Sequence, residues 1–216
     1  MAKIDIGAML LGFANSSSRV FGGGAPVHER LVRDIRASAA GAPIQLGPSV
    51  RELGPAAELD TFIPLFEALH WATSLELRIA EEWPDRSSAR DWYRSMPAGD
   101  TVRAVRFARN RVHHQWAEAI IIEEADRQLP ARFAPWRWQQ QLPSGWPDPE
   151  GERLYRSELA GEPVLGALGR LLAVFGHALR DLSHAGVVHS ELLEELLPAI
   201  DSIDPEEFSR DAVTAR

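Results

Sequence analysis

The stretch Thr101–Ala117, TVRAVRFARNRVHHQWA, combines apolar residues at helical spacing with a concentration of positive charge. It carries four arginines and two histidines, and it contains no aspartate or glutamate. The chain of 216 residues has a formal net charge of −8, so this stretch is a cationic island in an acidic protein. Its basic residues are Arg103, Arg106, Arg109, Arg111, His113 and His114.

Apolar residues recur along this stretch at steps of three and four, which predicts an amphipathic helix. Asp100 or Thr101 is a suitable N-cap, and the next proline is Pro130. We therefore expect a long central helix that runs from this cap to about Gln128.

The apolar spacing of the central helix is unbroken only if Arg109 is counted as one of its apolar positions. An arginine at such a position needs a buried carboxylate partner, or it extends its charged end into a cleft. Glu76 and Glu158 are the candidate partners if Arg109 is structural. A cleft shared with a second subunit is the other outcome.

The rest of the chain also predicts helices, because no useful length of it alternates between apolar and polar residues as a strand does. Proline and glycine mark loops at 41–55 and 129–150. We predict an all-α fold, a single bundle of four to five main helices with irregular loops. The further predicted helices span about 27–40, 60–83, 88–96, 163–184 and 191–200.

The whole chain, 1–216, is predicted to be one domain. An N-terminal segment with a glycine-rich loop (1–26) precedes the bundle (27–200), and an acidic tail (201–216) follows it. The glycine run lacks the lysine of a phosphate-binding loop. The chain contains no window of about 18 uncharged apolar residues, so the sequence predicts no membrane span. We expect no signal peptide and a cytoplasmic protein.

Composition limits the chemistry that is open to this chain. The absence of cysteine excludes disulfides, thiolate metal sites and cysteine nucleophiles. Net acidity argues against nonspecific coating of nucleic acid, although an enzyme that grips a few phosphates at one cationic site is still allowed.

On a regular helix Arg109 shares a face with His113, and Asn110 shares the neighbouring face with His114. Arginine binds phosphate through a planar fork of donors, and histidine exchanges protons near neutral pH. Together with a polar amide, these groups make a minimal metal-free set for cleaving RNA.

The segment Arg109-Asn110-Arg111-Val112-His113-His114 resembles the R-x4-6-H motif of the HEPN superfamily, in the form where Asn follows Arg. The resemblance implies an α-helical bundle that acts as a metal-independent endoribonuclease without a cofactor. Such an enzyme cleaves RNA by 2′-hydroxyl attack at a composite site formed by a homodimer. Arg109 and His114 would be the catalytic pair and Asn110 a polar auxiliary. The substrate-binding residues would be Arg103, Arg106, Arg111 and His113.

The resemblance also implies a biological setting. Many HEPN proteins are toxins of toxin–antitoxin pairs or host-defence nucleases. It therefore implies a toxin or defence effector, with a nucleotidyltransferase-type or small protein as its antitoxin.

Two alternatives stay open at this point. Helix geometry favours His113 as the partner of Arg109, whereas the spacing of the motif favours His114. The second alternative is a catalytically inactive helical module for dimerisation or partner binding. The tryptophan- and proline-rich segment 133–149 favours it, because such a segment suits a lid or a protein contact, although tryptophans between prolines also stack on bases.

Overall fold

Six α-helices dominate the part of the chain that the computed structural model describes, residues 4–22, 50–112, 116–122 and 136–201. Short 3₁₀ segments follow α2 and precede β1, at Ala89–Ser95 and Trp116–Glu118. The helices are α1 Ile6–Gly22, α2 Val50–Glu82, α3 Asp100–Arg111, α4 Pro149–Glu158, α5 Val164–His184 and α6 Glu191–Asp201. A small antiparallel sheet pairs β1 Ile120–Ile122 with β2 Trp136–Trp138.

Helix α1 begins at a side-chain cap and buries one face. The Asp5 carboxylate accepts a hydrogen bond from the Ala8 backbone N–H at 3.1 Å, which satisfies a free donor of the first turn. Residues at helical spacing along α1 then pack into the core. These buried residues are Ile6, Met9, Leu10, Phe13, Ser16, Ser17 and Val20.

The two ends of the described chain meet through α1 and α6. Ser190 Oγ donates a hydrogen bond to Asp5 Oδ1 at 2.8 Å and accepts one from the Leu193 N–H at 3.1 Å. Ser190 therefore caps α6. Gly7 permits this contact, since a Cβ there would lie 2.6 Å from Ser190 Oγ.

The core is centred on α5, most of whose residues are buried. The Phe175 ring makes an edge-on contact with Phe13 of α1 at a centroid distance of 5.6 Å. It also lies 6.2 Å from the ring of Trp92. Phe175 therefore joins α5, α1 and the 3₁₀ segment Ala89–Ser95.

A buried arginine of α5 fixes the start of α3. Arg170 Nε donates to Thr101 Oγ1 at 3.0 Å, and its Nη2 donates to the Glu158 backbone carbonyl at 2.9 Å. Burial lowers the pKa of this guanidinium, and the negative charges of Glu158 and Glu162 partly oppose that shift. The three helices α3, α4 and α5 are thus held in a fixed arrangement.

The predicted end of the central helix is wrong. Helix α3 ends at Arg111, with Val112 as its C-cap, instead of continuing to Gln128. Three consecutive isoleucines form β1 instead, because β-branched side chains suit a strand and a short apolar run does not distinguish strand from helix. Its partner β2 lies in the segment 129–150 that was predicted to be a loop.

Two other boundaries also differ. Helix α2 begins at Val50 instead of about residue 60, and so includes Pro55, which was predicted to lie in a loop. An interior proline removes one helical hydrogen bond and its ring crowds the preceding turn, at a cost of about 3 kcal/mol, which is why the sequence favoured a boundary that the helix does not have. Helix α1 forms within 1–26, where the sequence predicted only an N-terminal segment with a glycine-rich loop.

The coarse prediction of an all-α fold is confirmed, since strand residues are few among those described. Helices α5 and α6 follow their predicted bounds closely. No helix in the described ranges has the length and apolar character needed to cross a membrane. The predicted helix 27–40 and the tail beyond residue 201 lie outside the described residues.

We predict that Phe175→Ala lowers the free energy of unfolding by about 3–5 kcal/mol, because it opens a cavity where three elements meet. Urea denaturation followed by circular dichroism measures this. Leu77→Ala is the control, since Leu77 is 51% exposed and should change stability by less than about 0.5 kcal/mol. Equal losses for the two variants would contradict the assignment of Phe175 to the core.

Candidate functional site

The four arginines of the cationic stretch divide into two pairs with different environments. Arg103 and Arg106 point into the protein and each binds a carboxylate. Arg109 and Arg111, in the last turn of α3, line an open cleft. The positive charge of the sequence is therefore only partly available to a ligand.

Arg103 holds the segment before α4. Its Nη2 donates to both carboxylate oxygens of Asp148, at 2.6 Å each. Asp148 is also the N-cap of α4 and accepts a hydrogen bond from the Gly151 N–H at 3.0 Å. The hydrogen bond from Arg103 is the main reason why the pKa of the Asp148 carboxyl lies below its ordinary value.

Arg106 ties α3 to α2 and to the 3₁₀ segment. It donates to Glu76, which is 9% exposed, and to the Arg90 backbone carbonyl at 2.9 Å. Its guanidinium lies 5.1 Å from the centre of the Tyr93 ring. Both Arg103 and Arg106, predicted to bind substrate, thus have structural partners inside the fold.

Arg109 is the arginine whose environment the sequence left open between a buried partner and a cleft. Glu76, one expected partner, binds Arg106, and the other, Glu158, accepts a hydrogen bond from Thr101 at 3.4 Å. The Nε atom of Arg109 is buried and has no hydrogen-bond partner among the described residues. Its side chain lines both an inner crevice beside Glu76 and the outer cleft.

The outer cleft has a volume of about 710 Å³ and lies between the end of α3 and the loop before α4. The exposed Asn110 lies in its wall beside Arg109 and Arg111, so these three predicted site residues share one cleft. The cleft is lined by Phe107, Arg109, Asn110, Arg111, Gly145, Trp146, Pro147 and Asp148.

Arg111 occupies the border between this cleft and a second cavity. Its guanidinium lies 4.7 Å from the centre of the Phe107 ring. Gly145 packs against it so closely that a Cβ would lie 2.7 Å from Arg111 Nη1. The adjoining cavity has a volume of about 420 Å³, and Gln140, Gln141 and Arg156 are among its lining residues.

His113 and His114 lie outside the described residues. Helix α3 is described to Arg111, with Val112 as its C-cap, so the helical faces predicted for the two histidines stay a prediction. They follow Val112 directly in the sequence, immediately after the residues that line the cleft.

The described wall of the cleft and of the adjoining cavity offers few groups that exchange protons at neutral pH. Burial raises the pKa of the Tyr155 hydroxyl well above its ordinary value, and Asp148 is paired with Arg103. Glu152 is paired with Arg156. Among the described residues no group of three histidines or carboxylates is placed to hold a metal ion.

Sequence reasoning did not identify the loop that carries Gly145 and Trp146 as part of the site. The segment was noted for its tryptophans and prolines, but nothing in its pattern places it against α3. The contact depends on Asp148, which pairs with Arg103 across 45 residues of chain. An aspartate directly before Pro149 is typical of a helix N-cap, so the sequence indicates where α4 begins. It does not indicate that Asp148 contacts Arg103.

Comparisons of the chain with protein-family models, curated proteins and solved structures give no match. The resemblance of the Arg109–His114 segment to the HEPN motif therefore stays a prediction.

We predict that Asp148→Asn lowers the free energy of unfolding by about 1 kcal/mol at neutral pH, because the partly buried ion pair is lost while asparagine still caps α4. The carboxylate stabilises the fold above its unfolded-state pKa of about 4, and this contribution disappears as the pH falls through the lower folded-state value. Wild type and variant should therefore converge in acid. Urea titrations over a pH series test this.

Glu152→Gln is the control for Asp148→Asn. It removes an ion pair with Arg156 whose side chains are 46% and 72% exposed, so the change should stay below about 0.5 kcal/mol at every pH. A stability difference between wild type and Asp148→Asn that does not shrink in acid would contradict the role of the carboxylate.

Proposed function

We propose that this protein is a metal-independent endoribonuclease of the HEPN type. The observation that carries the proposal is the cleft at the end of α3, where Arg109, Asn110 and Arg111 lie together. Arg109 is well suited to an anionic ligand, because its expected carboxylate partners bind other residues. A pair of histidines follows these residues in the chain.

In the proposed reaction the ribose 2′-oxygen attacks the adjacent phosphorus, and the bond from phosphorus to the 5′-oxygen breaks. His114 accepts the 2′-hydroxyl proton or supplies a proton to the 5′-oxygen. Arg109 neutralises the charge that develops on the non-bridging oxygens, and Asn110 orients the phosphate. The products are a 2′,3′-cyclic phosphate and a 5′-hydroxyl.

The proposed enzyme is a homodimer, because a composite site needs two sets of these groups and the cleft of each chain supplies one set. Two copies would place their clefts together, as in the composite site implied by the motif. Growth inhibition by RNA cleavage would make the protein a cytoplasmic toxin or defence effector. Its antitoxin would be a nucleotidyltransferase-type or small protein.

A second candidate function is a noncatalytic module for dimerisation or partner binding. The observation that favours it is the internal pairing of Arg103 with Asp148 and of Arg106 with Glu76. Half of the arginines that suggested an RNA site thus serve the fold. This candidate differs from the first in expecting no RNA cleavage at any protein concentration.

We predict that purified protein cleaves RNA to fragments with 2′,3′-cyclic phosphate ends, and that EDTA does not abolish the activity. Arg109→Ala and His114→Ala should each lower the cleavage rate by about 10²–10⁴-fold, because each removes a group that acts in the transition state. Denaturing gel electrophoresis of end-labelled RNA measures the rate. His113→Ala, assayed in parallel, decides which histidine transfers the proton.

Matched controls are Arg86→Ala and His70→Ala, which replace exposed residues outside the cleft. Both should cleave as wild type does, and all variants should retain the wild-type circular dichroism spectrum. Absence of cleavage by a folded wild-type protein would contradict the proposal and favour the noncatalytic module. Equal activity of wild type, Arg109→Ala and His114→Ala would contradict the assigned roles.

A further inference from the structure

Trp146 stands out from the other tryptophans whose surroundings are described. Its side chain is 91% exposed, whereas Trp92 and Trp138 are each 1% exposed. It lies in the wall of the outer cleft, with Arg109, Asn110 and Arg111. A large aromatic ring left in water beside cationic side chains offers a flat apolar face next to charge, a combination that suits a nucleotide.

The chain on both sides of Trp146 is fixed to α3. On one side, Gly145 packs against the guanidinium of Arg111. On the other, Asp148 is held by Arg103 through two contacts of 2.6 Å. The indole is therefore presented beside the arginines by its neighbours, although the ring itself is not packed.

We propose that Trp146 is a stacking platform for an unpaired nucleobase of a single-stranded RNA, with the adjoining phosphates bound by Arg111 and Arg109. This proposal rests on the proposed function, in that the bound strand is the substrate of the cleft. Stacking on an aromatic face selects single strands, because a duplex hides the faces of its bases.

The adjoining cavity offers a binding position for a second base next to the outer cleft. Arg111, Gly145 and Pro147 line both the cavity and the cleft, so a bound strand can pass from one to the other around the Arg111 guanidinium. Gln140 and Gln141 in the cavity carry amide groups that both donate and accept hydrogen bonds. These amides match the edge of a second base, while Arg111 lies between the two base positions where a phosphate belongs.

The binding test uses a fluorescein-labelled, single-stranded RNA with 2′-O-methyl riboses, which lacks the nucleophile and stays intact. Trp146→Ala should weaken its binding by about 5- to 150-fold, the range expected for loss of one base stack. Trp146→Phe should recover most of the affinity, because it keeps an aromatic face. Fluorescence anisotropy measures all three proteins.

Leu77→Ala is the matched control, since it removes an exposed apolar side chain elsewhere and should bind as wild type does. A duplex of the same sequence should compete poorly with the single strand. Unchanged affinity in Trp146→Ala overturns the stacking platform. Unchanged affinity together with loss of the dimer on size-exclusion chromatography would assign this surface to a protein contact instead.

The role of Arg111 has its own readout in the salt dependence of binding. Each phosphate neutralised on a single strand contributes about 0.7 to the slope of log affinity against log salt concentration. Arg111→Ala should lower that slope by about this amount, and Arg86→Ala should leave it unchanged. An unaltered slope in Arg111→Ala would overturn the phosphate contact.

Cleavage assays separate this proposal from the function on which it rests. Cleavage of unmodified RNA with equal KM in wild type and Trp146→Ala would overturn the platform and leave the ribonuclease standing. Binding that depends on Trp146, without cleavage of unmodified RNA, would overturn the ribonuclease and support the platform as a single-strand binding site.

Discussion

The contact between Arg103 and Asp148 is the interaction on which the candidate site depends. Asp148 uses one carboxylate for two purposes, since it binds the guanidinium of Arg103 and caps the first turn of α4. The loop that ends at Asp148 carries Gly145 and Trp146, so the same contact forms the outer wall of the cleft. Without it the loop that lies across the cleft from Asn110 and Arg111 would lose this anchor on α3.

The helices whose bounds depend on local interactions were predicted correctly from local sequence patterns. Helix α5 is apolar almost throughout, and the residues after Ser190 repeat apolar positions at helical spacing. Helices α5 and α6 were therefore predicted close to their observed bounds. The end of α3 was not predictable in this way, because Ile120–Ile122 suits either a helix or a strand until a partner is known. That partner, Trp136–Trp138, lies in a segment whose prolines suggested a loop. Cross-strand pairing is a nonlocal property and leaves little trace in one strand.

The same distinction between local and nonlocal interactions applies to the candidate site. Asn110 and Arg111 were expected at the site from the motif, and they do line a cleft. The partners of Arg103 and Arg106 depend on carboxylates 45 and 30 residues away, and no periodicity indicates which arginine binds which acid. Glu76 was considered as the partner of Arg109, yet it binds Arg106, one turn earlier on the same helix. A charge count along the sequence therefore gives the number of cations in a region but not how many remain available to a ligand.

The hydrogen bond between Ser190 and Asp5 spans 185 residues of chain. During synthesis on the ribosome, α1 emerges long before the helix cap that it meets, because Ser190 follows Asp5 by 185 residues. Helix α1 can pack on α2 early, but its contacts with α5 and α6 must await the synthesis of those two helices. Assembly of the described bundle thus depends on α6, and a ribosome that stalls before α6 leaves part of the apolar face of α1 uncovered.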